Sequence, residues 1–322
     1  MTTLISHLLV TASLIFVSVF SAAAQTSGPR VDLSLIVTDK DDKPLATIRK
    51  EDLHLFEGKV EQTILSVEPD TRPIDLALAI DASGSFNKLF VAALKGAGMI
   101  VRNVRPEDRI FIERFISSDK IEKVHDFSSD TKSLLKAVND LYLEAGQSAV
   151  VDGIYMGADY VAEHNQSRSG RRKVVVVITD GDERNSYYSS DTLLKFLRAQ
   201  GVKVFALGLT AQLKEVSPNT NPSPRARAEK LLFEVTEESG GHVFFARSED
   251  DLLNSATPQL LTYLRSQFLI TYQSSDNSSK KGFRKVELKL DSPNDEKRSV
   301  ITPRGYFFPT PSAPPVAKEK KQ

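Results

Sequence analysis

Asp81, Ser83 and Ser85 alternate along the run Asp81-Ala82-Ser83-Gly84-Ser85. Carboxylate and hydroxyl oxygens are hard ligands suited to Mg²⁺ or Mn²⁺. The run follows Ile74-Asp75-Leu76-Ala77-Leu78-Ala79-Ile80, which reads as a buried parallel strand. A helical pattern follows from about Ser85 to Val104. The acid and hydroxyls thus fall where a strand ends and a helix begins. In open α/β sheets that carboxyl end of the strands is where ligands bind. A short acid-serine turn before a helix is also a common N-cap. Taken alone, the run leaves both readings open.

Two further segments bear on the choice. Lys173-Val174-Val175-Val176-Val177-Ile178 reads as a second strand buried on both faces. It ends in Thr179-Asp180-Gly181-Asp182. Between the two strands, Gly146-Gln147-Ser148-Ala149-Val150-Val151-Asp152-Gly153 forms a loop running into another helix. With these segments in place, the chain resembles the von Willebrand factor type A (VWA) family. That family carries a metal-ion-dependent adhesion site built from D-x-S-x-S, a Thr in a G-x-T loop and the Asp of T-D-G. The resemblance implies Asp81, Ser83, Ser85, Ser148 and Asp180 as metal ligands, with Mg²⁺ or Mn²⁺ as the ion. Ser148 stands where the family usually has Thr, and it keeps the hydroxyl.

The chain has 322 residues, a formal net charge of +0 and no cysteine. The charge balance argues against a nucleic-acid binder, which would show a basic excess. The lack of cysteine excludes disulfides, thiolate metal sites and Cys catalysis. Leu8–Phe20 is mostly apolar and is followed by Ser21-Ala22-Ala23-Ala24. This predicts a signal peptide over 1–24 and an exported protein, periplasmic or secreted. The n-region lacks Lys and Arg, and an uncleaved anchor is the alternative. No other segment is long and apolar enough for a transmembrane span.

The middle of the chain predicts strands at Asp75–Asp81, Arg109–Phe115, Lys173–Asp180, Lys203–Leu209 and His242–Ala246, with an antiparallel edge strand at Glu122–Phe127. Helices are expected at Phe86–Val104, Thr131–Tyr142, Val150–Glu163, Ser190–Ala199, Arg225–Glu238 and Asp250–Ser266. Asp191 and Ser248 read as N-caps, and Gly201 and Gly240 as helix stops. This alternation gives an α/β fold: a Rossmann-like, doubly wound, mostly parallel sheet covered on both faces. The flanks differ. Val31–Asp39, Leu53–Phe56 and Thr63–Val67 precede the alternating region, and Phe268–Gln273, Arg284–Leu290 and Ser299–Phe308 follow it. Neither set alone could bury a two-sided sheet, so they are expected to pair into one β-module. The expected division is a signal peptide (1–24), an N-terminal β segment (25–71), a VWA domain (72–267), a C-terminal β segment (268–309) and a disordered tail (310–322). Val37–Pro44, Glu51–Gly58 and Arg304–Phe307 resemble marks of a bacterial exported VWA-related subfamily.

Other features have plainer readings. Asp152 is expected to accept hydrogen bonds from nearby backbone N–H groups. Asp182 and Glu183 are expected in a solvated loop. His54, His125, His164 and His242 show no metal spacing. Lys95-Gly96-Ala97-Gly98 lies inside a helix pattern, not after a strand, so it is no phosphate loop. The family's use of such a site implies a non-enzymatic module that captures an Asp or Glu carboxylate of a protein partner. A metal-stabilised structural subunit and a metal-assisted hydrolase are the alternatives. The hydrolase needs a general base, and the metal loops contain neither His nor Lys.

Overall fold

The computed structural model describes residues 28–165, 170–215, 222–278, 280–291 and 297–308. The expected signal peptide, the tail at 310–322 and residues 216–221 lie outside these residues.

The chain opens with strands β1 (Arg30–Thr38), β2 (Leu53–Glu57) and β3 (Val60–Pro69). It then alternates: β4 (Ile74–Asp81), α1 (Phe90–Arg102), β5 (Arg109–Ser117), β6 (Lys120–Ser128), α2 (Thr131–Asn139), α3 (Val150–Asn165), β7 (Arg172–Thr179), α4 (Ser190–Gln200), β8 (Lys203–Gly208), α5 (Pro224–Ser239) and β9 (Val243–Phe245). A short helix α6 (Glu249–Asp251) runs through a π-helical turn, Leu252–Ala256, into α7 (Thr257–Arg265). Strands β10 (Phe268–Gln273), β11 (Gly282–Leu290), β12 (Ser299–Ile301) and β13 (Gly305–Phe308) follow.

The alternating region forms a 6-stranded sheet in the order β6-β5-β4-β7-β8-β9. Every pairing is parallel except that of β5 with β6. β4 is buried at every position, as its near-unbroken apolar run demands. Its alternate side chains serve opposite cores. Leu76, Leu78 and Ile80 pack with Ala93, Ala97 and Leu260 of the α1 and α7 layer, while Ala77 and Ala79 pack with Ile154, Ala158 and Val161 of α3. α3 lies close to the sheet at Gly153, where an added Cβ would sit 2.5 Å from a Phe115 ring atom. That approach anchors the helix whose N-terminus follows Ser148.

The flanks pair into a 7-stranded sheet of order β12-β1-β10-β3-β2-β11-β13. Strands from the two ends of the chain interleave within it. β10 lies antiparallel between β1 and β3, and β11 pairs antiparallel with β2. Leu35, Leu55, Ile270 and Tyr272 are fully buried in its core. Ile36, on the other face of β1, packs into the central-sheet core instead. Glu57 is the buried polar hub of this sheet. It accepts from the Tyr272 hydroxyl (2.8 Å), the Ser274 hydroxyl (3.0 Å) and the Tyr306 hydroxyl (3.1 Å), with Arg284 Nη1 at 3.4 Å.

Several boundaries differ from those expected. The first helix begins at Phe90 because Gly84–Phe86 forms a separate 3-10 turn. The second ends at Asn139, before Tyr142. Ser189, not Asp191, caps α4 by accepting from the Thr192 N–H. The long last helix is broken by its π turn just ahead of Pro258, which has no N–H to continue the ladder. Ser248 caps α6, and Gly201 and Gly240 end α4 and α5 in the left-handed conformation. Among the described residues no helix is long and apolar enough to cross a membrane.

Candidate functional site

The carboxyl ends of β4 and β7, with the loop before α3, meet at one edge of the central sheet. Asp81 ends β4, and Asp180 follows β7 directly. Ser83 and Ser85 belong to the turn after β4, and Ser148 comes two residues before α3.

Asp81 is the hub. Its Oδ1 accepts from the Ser83 N–H (3.0 Å) and the Ser83 hydroxyl (2.7 Å). Its Oδ2 accepts from the Ser148 hydroxyl (3.0 Å) and the Thr179 hydroxyl (2.7 Å). Ser85 Oγ joins through Ser83 Oγ at 3.1 Å. The hydroxyl hydrogens of Ser148 and Thr179 are thereby committed to Asp81. Their oxygen lone pairs stay available, as a hydroxyl has two. Asp180 accepts from the Asp182 N–H at Oδ1 (3.0 Å) and from Gln212 Nε2 at Oδ2 (3.1 Å). Gly181, at φ +75°, makes the turn that follows Asp180. Its N–H donates to Thr179 Oγ1 at 2.9 Å.

Both acids are completely buried, at 0% exposure. Their position at strand ends suggests acids outside the core, but the surrounding loops close over them. Burial raises the Asp81 carboxyl above its ordinary range, against the opposing hydrogen bonds from Thr179, Ser83 and Ser148. Burial, and then the negative charge of Asp81, push Asp180 up to about 7. No ion pair reaches either acid among the described residues. Arg184, which feels the charge of Asp180, pairs with Asp182 at 2.5 Å. Gln212 Oε1 is buried beside Asp180 with no donor.

The structure therefore brings Asp81, Ser83, Ser85 and Ser148 into one hydrogen-bonded group. Asp180 stands within electrostatic reach of that group. Two contributors escape a sequence reading. Thr179 has no ligand role in the sequence reading, and its place in the Thr-Asp-Gly run, one strand position before Asp180, is the signal that marks it. Gln212 comes from a 3-10 turn, Thr210–Gln212, after β8, and no local pattern marks it. Among the described residues no group of three or more His, Cys, Asp or Glu could hold a metal ion. Any ion here would depend on the hydroxyls as well as the two carboxylates.

The neighbouring acids are structural. Asp152 accepts from the Tyr187 and Tyr188 N–H groups at 2.6 and 2.8 Å. Glu183 is not simply solvated: it accepts from the Val151 N–H (2.9 Å), the Ser186 N–H (2.8 Å) and the Ser186 hydroxyl (2.7 Å). It ties the loop after β7 to the N-terminus of α3.

A family model for the von Willebrand factor type A domain matches residues 75–259. A search of curated proteins found no match. Among solved structures, an aerotolerance-related membrane protein from Bacteroides fragilis NCTC 9343 is similar at 17% identity and a TM-score of 0.44. That alignment covers 58% of this chain and 98% of the other. The proximal thread matrix protein 1 of the mussel byssus, with a zinc-occupied MIDAS motif, is similar at 19% identity and a TM-score of 0.47. It covers 63% of this chain and 48% of the other. The SpRpn10 VWA domain is similar at 15% identity and a TM-score of 0.41, covering 56% and 94% respectively. The family match spans more than half of the chain and contains every element that builds the site, so this chain belongs to the von Willebrand factor type A family.

Proposed function

We propose that this protein is an exported, non-enzymatic binding module that captures an Asp or Glu carboxylate of a protein partner through a divalent cation. Asp81, Ser83, Ser85, Ser148 and Asp180 would hold Mg²⁺ or Mn²⁺. The observation that carries the proposal is the pair of fully buried carboxylates, set among hydroxyl oxygens and with no cationic partner among the described residues. Buried charge of one sign normally has a counter-charge. An all-oxygen donor set of this kind suits a hard divalent ion. The orphaned acceptor Gln212 Oε1 also fits a site that is completed by something electropositive.

When bound, the ion supplies a coordination position with affinity for an anionic oxygen. The chain's own residues do the rest. Asp81 orients the Ser83, Ser148 and Thr179 hydroxyls by accepting their hydrogens. Asp180 contributes charge, held in place by the Asp182 N–H and Gln212. No His or Lys hydrogen-bonds to Asp81, Ser83, Ser85, Ser148 or Asp180 among the described residues. That favours binding over hydrolysis, which needs a placed base.

A pull-down from the native envelope or medium, run with Mg²⁺ and with EDTA, tests this reading. The partner should be retained with Mg²⁺, released by EDTA and lost when its acidic contact residue is neutralised. Retention indifferent to EDTA would favour a structural subunit. Metal-dependent hydrolysis of ester, peptide or phosphate substrates that vanished in Asp180→Ala would favour an enzyme.

A further inference from the structure

The opposite edge of the central sheet carries charge of the other sign. β7 opens with Arg172 and Lys173, and β8 opens with Lys203. These lie six to eight strand steps from Asp180, roughly 20–26 Å at about 3.3 Å per residue. All three line a cavity of about 280 Å³ between the central sheet and the flanking one. Arg172 is 6% exposed and Lys203 7%.

Buried cations are ordinarily paired with carboxylates. Among the described residues these hydrogen-bond only to neutral acceptors. Arg172 Nε donates to the Arg72 carbonyl (3.2 Å) and Nη1 to the Leu264 carbonyl (2.9 Å). Lys203 Nζ donates to the Ser34 carbonyl and to Gln267 Oε1, both at 3.1 Å. Lys173 Nζ donates to the Gln200 carbonyl. The other cations of the lining do have acids: Arg72 pairs with Asp70, Arg171 with Asp75 and Arg198 with Glu238. Asp32 is the lining's own carboxylate, exposed at the rim, where it accepts from the Thr271 hydroxyl at 2.7 Å.

A second observation is independent of charge. Among the described residues, Arg198 Nε and Gln200 Nε2 are buried donors without an acceptor, and both residues line this cavity. The lining therefore combines donors left unpaired beneath its surface with positive charge that Asp70, already paired with Arg72, only partly offsets. Burial, with Arg172 nearby, holds the Lys203 ammonium down at about 7, and burial lowers Arg172 to about 10. In both, burial outweighs the attraction of Asp70, the buried acid that pairs with Arg72.

We propose that this cavity is an anion site that takes a phosphate-type dianion. A single carboxylate would balance only one of the unpaired cations. A doubly charged oxyanion balances more of the charge and presents several acceptors to the cationic lining. The site shares no residue with the proposed metal site, so each can fail without the other.

The test is calorimetric titration of inorganic phosphate into the full chain in EDTA, with chloride at matched ionic strength as the control. Phosphate should bind and raise the unfolding temperature, and chloride should not. Lys203→Met should weaken phosphate binding at least tenfold. Gln200→Glu places a carboxylate in the lining. It should raise the unfolding temperature without phosphate and weaken phosphate binding at least tenfold. Asp180→Asn should bind phosphate as the unaltered chain does. If Lys203→Met does not fold, Gln200→Glu decides. An equal shift with chloride, or unchanged phosphate affinity in Gln200→Glu, overturns the proposal.

Discussion

Replacing Asp180 with Asn should stabilise the metal-free protein. Asp180 is fully buried, and burial together with the charge of Asp81 holds its carboxyl at about 7 against an ordinary 3.8. At about 1.4 kcal/mol per pH unit, keeping it ionised costs on the order of 4 kcal/mol above neutrality. Asn removes that cost but is not a perfect replacement. Two donors, the Asp182 N–H and Gln212 Nε2, now point at Asp180, and an amide can accept only at its oxygen. A mismatched buried donor costs about 1–3 kcal/mol. The net expected gain is about 1–3 kcal/mol. The sign with pH follows from the raised value. Between 3.8 and about 7 the folded state binds the proton that the unfolded state has released. Metal-free stability should therefore fall as pH rises through that window, and in Asp180→Asn this component should vanish. Urea unfolding in EDTA at several pH values between 4 and 8 measures both effects. An Asn variant less stable than the parent at pH 8, with the same pH slope, would refute the reasoning.

Other outcomes follow from the same geometry. Asp81→Ala should both abolish metal binding and destabilise the fold by about 1–3 kcal/mol, since it strands the Ser83, Ser148 and Thr179 donors in a buried site; urea midpoints and calorimetry read the two losses separately. Ser148→Ala should weaken metal affinity less than loss of either acid, because it removes a neutral ligand, and Ser148→Thr should retain binding; calorimetric affinities check the order. Ending the chain at Gln267 removes β10 from between β1 and β3 and exposes Leu33, Leu35 and Val67, so limited proteolysis should cut the N-terminal strands faster than in the full chain. Glu113 is fully buried, with Oε1 unpartnered and its carboxyl raised well above the ordinary range by desolvation, so Glu113→Gln should raise the unfolding midpoint at pH 8 and leave it nearly unchanged near pH 4.

The central strands could be read directly because their apolar runs admit few alternatives. β4 and β7 are covered on both faces, and such strands need no polar alternation. The placing of Asp81, Ser83 and Ser85 followed, since a strand end and its turn are local features. The interleaving of the flanks was legible as a need: neither end of the chain had enough strands to bury a face alone. Its strand order was not, because register and neighbour depend on contacts such as Glu57 with Tyr272 and Tyr306, across more than two hundred residues. Burial of the two acids was also hidden. It depends on loops from separate strands closing over them, including the turn that brings Gln212 to Asp180. The cluster of unpaired cations at the other sheet edge escaped for the same reason. Arg172 and Lys203 are thirty-one positions apart in sequence and meet only because β7 and β8 start side by side.

The most direct test of the central claim is a calorimetric titration of Mg²⁺, and then Mn²⁺, into the full chain after EDTA has been removed. The account predicts saturable binding at a single site, weakened in Ser148→Ala and lost in Asp81→Ala and Asp180→Asn. No heat of binding in the unaltered chain, or unchanged affinity when Asp180 has been replaced, would contradict it.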